Sequence, residues 1–137
     1  VKTARITRLA ALKRQVELQK WLSEAGRLNA EIKRLDDRIH QVDALKQLYN
    51  QQLRTPALTS KELIGIRVID NHLNDRREID HNRRELLEGE RKRMAMMLAE
   101  KKSQVETLKT EAKDLKKAEA EARAERQQAL IPTRRNS

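Results

Sequence analysis

Apolar residues recur at steps of three and four through most of the chain. From Leu18 they run Leu18, Trp21, Ala25, Leu28, Ile32, Leu35, Ile39, Val42, then Lys46, Tyr49 and Leu53. This is a heptad seam with one lysine in it, and it predicts a long amphipathic helix. Nearer the N-terminus, Leu9, Leu12 and Val16 fall out of that frame. A phase shift near Val16, absorbed by local rewinding, accounts for the change.

The pattern breaks in "YNQQLRTPALTSKELIGI", Tyr49 to Ile66. Pro56 disfavours helix at Thr55 and has no N–H to donate, so the first arm ends near Arg54. Thr59 and Glu62 have capping-box spacing, with Leu58 and Leu63 placed as a hydrophobic staple. A stop, a short connection and a capped restart predict an αα-hairpin, whose loops span about 2–8 residues. The cap and staple favour this over a proline kink in one continuous helix.

The second arm opens on Leu63, Ile66, Ile69 and Leu73, and its frame then passes through Arg76, Asp80 and Arg83. It recovers at Leu87, Met94 and Met97 and continues to Leu108, Leu115, Ala118 and Ala122. The middle, "NDRREIDHNRRELLEGERKR", is too polar for a well-packed seam. Two arrangements fit it: loose pairing, or a register shift that uses Ile79 and Leu86. The expected fold is all-α, a long two-helix antiparallel coiled-coil hairpin forming one domain. Its arms cover about 1–54 and 60–128, with a loop near 55–59 and a flexible tail near 129–137. With equal rise on both arms, residue i faces roughly residue 113 − i, and the arms extend about 80 Å and 100 Å.

Composition agrees with a long helix. Of 137 residues, 38 % are charged and 1 % aromatic, and Phe and Cys are absent. A compact domain normally draws large buried areas from aromatics, whereas charge-rich, aromatic-poor chains are disordered or coiled coils. The periodicity selects the second class. Without cysteine there is no disulfide or thiolate metal site, which fits a reducing compartment. No apolar run reaches the roughly 18–20 residues of a membrane span. The start "VKTARITRLAALKRQ" lacks an apolar core of signal-peptide length and only weakly resembles a basic transit segment.

Candidate chemistry is sparse. Pairing by 113 − i would bring His40 near His72, but His40 lies beside seam residue Ile39, and no HExxH motif is present. No metal and no cofactor is expected. Gly26, Gly65 and Gly89 are isolated, so there is no phosphate loop, and there is no thiol nucleophile. With no water-excluding pocket expected either, the chain does not read as an enzyme. Each glycine costs roughly 1 kcal/mol against alanine in a helix, as a weak point or where a neighbour comes close.

Charge is more informative. The formal net charge is +10, and the first fourteen residues hold Lys2, Arg5, Arg8, Lys13 and Arg14 with no acid. Arg134 and Arg135 add to the same end of the hairpin. A solvated surface is the plain reading, and an acidic partner is the sharper one. No aromatics interleave the charges and there is no dense basic block, which argues against nucleic acid. Glu88 with Lys92 and Glu119 with Arg123 have i,i+4 spacing for weak exposed pairs. Trp21 and Tyr49 fall on the seam. Ile64 and Val68 flank it and widen the apolar stripe near the loop.

The layout resembles the central stalk family of bacterial type III export machines, the flagellar FliJ and injectisome YscO-like proteins. The likeness rests on the basic first helix, the "LKQLYNQQLRTPALTSKEL" junction, the apolar restart, and "GERKRMAMMLAEKKSQVETLKTEAKDL". It covers about Thr3 to Arg126. The short loop and few aromatics are more similar to the injectisome branch. The resemblance implies a cytoplasmic protein, peripheral to the export apparatus at the inner membrane and without catalytic residues. It implies a stalk in the pore of a hexameric ATPase, linking it to the export gate, with secretion chaperones as further candidate partners. By that analogy Arg5, Arg8, Lys13, Arg14, Lys116, Lys117, Arg123 and Arg126 face the ring. Ile64, Ile66, Val68 and Ile69 face the gate. A generic coiled-coil scaffold or adaptor is the alternative, and a basic nucleic-acid-binding rod the third.

Overall fold

The computed structural model describes residues 2–131. Two helices make up the all-α hairpin: α1, Ala4–Leu53, and α2, Ser60–Leu130. Pro132, Arg134 and Arg135, in the predicted basic tail, lie outside the described residues. The second helix runs two residues beyond its expected end, through Leu130.

Local chemistry sets the helix ends. Thr3 starts α1: its hydroxyl accepts from the Ile6 N–H at 3.2 Å and its carbonyl from the Thr7 N–H at 3.0 Å. The helix stops as the sequence predicts, before Pro56. Arg54 N–H and Thr55 N–H donate three residues back, to Gln51 and Gln52, in a tightened last turn. Thr59 then caps α2. Its hydroxyl accepts from Glu62 N–H at 3.2 Å, and its carbonyl from Leu63 N–H at 3.0 Å. The reciprocal Glu62 bond of a full capping box is not among the hydrogen bonds of the described residues.

The helices pack as two compact units, Ser23–Ala95 and Val1–Leu22 with Met96–Ser137. In the first of these, Leu28, Ile32, Leu35 and Val42 of α1 are buried. Ala25, Ile39, Lys46, Tyr49 and Leu53 are half-buried, so the predicted seam holds at every position of this unit. Ile66 is the buried apolar residue of α2 here, and Leu63, Leu73, Leu87 and Met94 are half-buried.

Of the two arrangements expected for the polar middle, the register shift is not found. Ile79 and Leu86 are 57 % and 71 % exposed, so no register shift recruits them. The helices are joined there by ion pairs instead. Arg77 bonds Asp43 at 2.6 Å, Arg83 bonds Glu31 at 2.7 Å, and Arg84 bonds Asp36. Glu31, Asp36 and Asp43 adjoin seam residues Ile32, Leu35 and Val42, where flanking charges reach across a coiled coil. Asp80 fills a seam position at 2 % exposure, 3.4 Å from Arg38 and 3.6 Å from Arg76. Its Oδ2 has no partner.

Glu31 with Arg83 and Lys2 with Glu111 fall within one residue of the expected pairing, and two pairs depart from it. Asp43 meets Arg77 rather than Asp70, and Asp36 meets Arg84 rather than Arg77. Helical side chains lean toward their own N-terminus. In antiparallel helices the tips on α1 therefore shift away from the turn and those on α2 toward it. For Asp43 and Asp36 the residue reached on α2 therefore lies further along the chain than one at equal height.

In the unit of Val1–Leu22 and Met96–Ser137, small residues make the contact. Thr7, Ala11, Val105 and Ala112 are buried, and Ala4, Leu18 and Trp21 half-buried. The seam therefore continues in frame through Ala4, Thr7 and Ala11, and the phase shift expected near Val16 does not occur. Leu9, Leu12 and Val16 are simply turned outward. Trp21 is half-buried with the Lys101 ammonium 5.8 Å from its ring centre. Glu119 does not pair with Arg123; it accepts the Ala4 N–H at 2.9 Å, a carboxylate at the positive end of α1. Glu88 pairs with Arg91 rather than Lys92.

Nothing lies within 4 Å of a Cβ built at Gly26, Gly65 or Gly89, and none has a positive φ. Close approach of a neighbour is therefore not why they are glycine. Alanine at each should raise stability by about 1 kcal/mol in urea unfolding followed by circular dichroism; a loss would reveal a neighbour that the packing does not show.

Removing Arg38 strips Asp80 of its closest cation, and Arg38→Ala should cost about 1–3 kcal/mol. Asp80→Leu leaves Arg38 and Arg76 in solvent and an apolar side chain in the seam, so it should be neutral or stabilising. Equal losses in the two variants would show that Asp80 is not held as described.

The hydrogen bond from Arg83 holds the Glu31 carboxyl below its ordinary value of 4.5, with the charges of Arg83, Arg34 and Arg27 acting the same way and burial opposing them. A lowered carboxylate pKa adds stability above the unfolded value and loses it as pH falls through the folded one. The unfolding midpoint should therefore drop on acidification below about 4.5. Glu31→Gln should flatten that part of the profile, while Arg83 and Arg84, raised by their carboxylate partners, stay charged throughout.

Candidate functional site

The unit containing the start of α1 carries a groove of about 570 Å³, open to solvent. Its floor is made by the small seam residues Ala4, Ala11 and Ala112. Arg5 and Arg8 of α1 and Lys109, Lys113, Lys116 and Arg123 of α2 rise around it, with Glu106, Thr110 and Glu119. Six cations thus face two carboxylates, and one of these, Glu119, is already engaged by the Ala4 N–H.

The sequence puts these side chains together for a simple reason. Alanine and threonine at seam positions let two helices approach closely. The long cations on the edges of that seam then border a channel instead of being spread around a thicker pair. On α2 the positions 109, 113, 116 and 123 follow steps of four, three and seven, which is one helix face. Every one of the six cations is exposed. The groove can bind an anionic surface through hydrated, exchangeable contacts, each worth about 0–1 kcal/mol.

Of the eight residues singled out for a ring contact, Arg5, Arg8, Lys116 and Arg123 line this groove. Lys13, Arg14, Lys117 and Arg126 are exposed elsewhere, and Arg14 pairs with Glu17 at 3.3 Å. Lys109 and Lys113 were not foreseen. Their signal was the heptad spacing to Lys116, which the adjacent pair Lys116–Lys117 obscures, because neighbours in sequence point to different faces.

The second group of candidates divides. Ile64, Val68 and Ile69 are exposed at the start of α2, whereas Ile66 is buried and offers no surface. Beside them a shallow depression is lined by Gln52, Thr55, Leu58, Glu62, Gly65, Ile66 and Ile69.

His40 and His72 are exposed. Among the described residues no group of His, Cys, Asp or Glu is placed to hold a metal ion. No helix among them is long and apolar enough to cross a membrane.

No protein-family model, curated protein or solved structure matches the chain.

Proposed function

We propose that the protein is the central stalk of a type III export ATPase complex, a helical hairpin that enters the hexameric ATPase ring and links it to the export gate. The observation that carries this reading is the groove, where the start of α1 and the last third of α2 jointly present six cations. Acidic surface on the ring is the complementary partner. The exposed Ile64, Val68 and Ile69 are the apolar candidates for the gate. In this role the protein works at the cytoplasmic side of the inner membrane, and secretion chaperones are further candidate partners.

The physics suits the task. One asymmetric hairpin cannot match six equivalent subunits at once. It binds some ring conformations better than others, and that difference in affinity biases the cycle. Exposed guanidinium and ammonium groups give contacts that exchange without a large barrier. The protein then contributes differential binding, and the ATP chemistry belongs to the ring.

The same cations favour a second reading, binding to duplex DNA, which Glu106 and Glu119 within the groove oppose. Steep loss of affinity with added salt on duplex DNA would select it.

Mixing the protein with its cognate hexameric ATPase should raise ATP turnover. Reversing Arg5, Arg8, Lys13 and Arg14 to glutamate should remove that stimulation by at least about tenfold while the helical circular-dichroism signal is retained. Lys109→Glu with Lys113→Glu should do the same. Unchanged stimulation in both variants would reject the basic-groove assignment.

A further inference from the structure

Ile6, Leu9, Leu12 and Val16 are between 51 % and 58 % exposed. They lie on the side of α1 opposite the buried Thr7 and Ala11, because the seam there runs through small residues. At 100° per residue the four fall within about a third of the helix circumference. Leu9, Leu12 and Val16 have the three–four spacing of a coiled-coil seam, with Ile6 one turn before. This is a second, unpartnered seam on a helix whose first seam is already used. Arg5, Lys13 and Lys20 share its face or border it, and the chain carries no acid before Glu17.

We propose that this face docks an acidic amphipathic helix of another protein, with apolar residues against Leu9, Leu12 and Val16 and carboxylates against Arg5, Lys13 and Lys20. Charge decides the occupant. A second copy docked through the same stripe would bring cations against cations, a repulsive arrangement across a coiled coil. The stripe from Ile6 to Val16 is also only about 15 Å long, too short for the roughly 800 Å² per partner of a stable dimer. A short acidic helix supplies complementary charge along its whole edge, so binding is modest in strength and sensitive to salt. The inference does not require the export-ATPase reading: its apolar part, Leu9, Leu12 and Val16, belongs to the outer face of α1 alone, although Arg5 and Lys13 enter both.

The test is a fluorescence anisotropy titration of the full chain against a labelled 21-residue helical peptide with leucines at heptad spacing and glutamates at the flanking positions. Two control peptides carry the same leucines with lysine flanks, or the same residues in scrambled order. The acidic amphipathic peptide should bind at micromolar Kd and both controls at least about tenfold more weakly. Leu9→Gln with Leu12→Gln should weaken binding by at least about tenfold, since interface seams concentrate their energy in few apolar positions. Their exposure means that the unfolding midpoint should hold; Val16→Lys alone provides a milder variant with the same expectation. Equal binding of the scrambled peptide, or of the Gln variant, would overturn the proposal. So would capture of the wild-type chain by vesicles containing phosphatidylserine without peptide binding, which would make the face a membrane contact. Concentration-dependent dimerisation that the Gln variant abolishes would assign the stripe to a second copy.

Discussion

Between Arg76 and Arg84 the second helix offers its partner almost no apolar surface, and the antiparallel pairing there depends on guanidinium–carboxylate bonds. Arg77, Arg83 and Arg84 each meet an acid that adjoins a buried seam residue of α1. Exposed pairs of this kind contribute about 0–1 kcal/mol apiece, so their effect lies less in stability than in selection. A helix pair held only by Leu28, Ile32, Leu35 and Val42 on one side has several registers of similar energy. Sliding α2 so that Asp43 faced Asp70 would set carboxylate against carboxylate there and break the Arg77–Asp43 and Arg84–Asp36 pairs. Asp80 tightens that choice, since Arg76 travels with it on α2 but any other register removes its interhelical partner Arg38.

What could be read from the sequence divides along the same line. From Leu18 to Leu53 large apolar side chains mark the seam, and every predicted position is buried or half-buried. Pro56 and Thr59 mark the turn for reasons of backbone chemistry alone. The reading fails where the seam is made of small residues. Ala4, Thr7 and Ala11 carry little hydrophobic signal, and the larger Leu9, Leu12 and Val16 beside them pull the inferred frame to the wrong face. It fails again where partners are charged. A run such as "NDRREIDHNRRE" looks unfit for a seam until the acids of α1 are placed beside it, and that placement depends on the lean of side chains in both helices. The groove was half legible: Arg5 and Arg8 stood out by the absence of acids around them. Lys109 and Lys113, in a stretch rich in both signs, became visible only as one face.

Small seam residues have a second consequence in the unit built from the ends of the two helices. They place little apolar area between the helices near the start of α1, where Val105, Ala112 and Ala11 are buried while Ile6, Leu9, Leu12 and Val16 point away. Two chemically different surfaces result on one helix pair. One is a cationic channel along the seam edge, where contacts are hydrated and weaken as the Debye length shrinks to about 8 Å near physiological salt. The other is an apolar stripe on the back of α1, whose contribution rises with excluded water and is little affected by screening. A partner held by the channel alone dissociates steeply as salt increases, whereas one seated on the stripe retains its apolar part. The two surfaces share Arg5 at their border, so a ligand that neutralises Arg5 from the channel side removes one of the three cations available to an acidic helix on the stripe. A partner that engages Arg5 on one surface would therefore lower the electrostatic part of binding at the other, a negative coupling that follows from one side chain serving two faces.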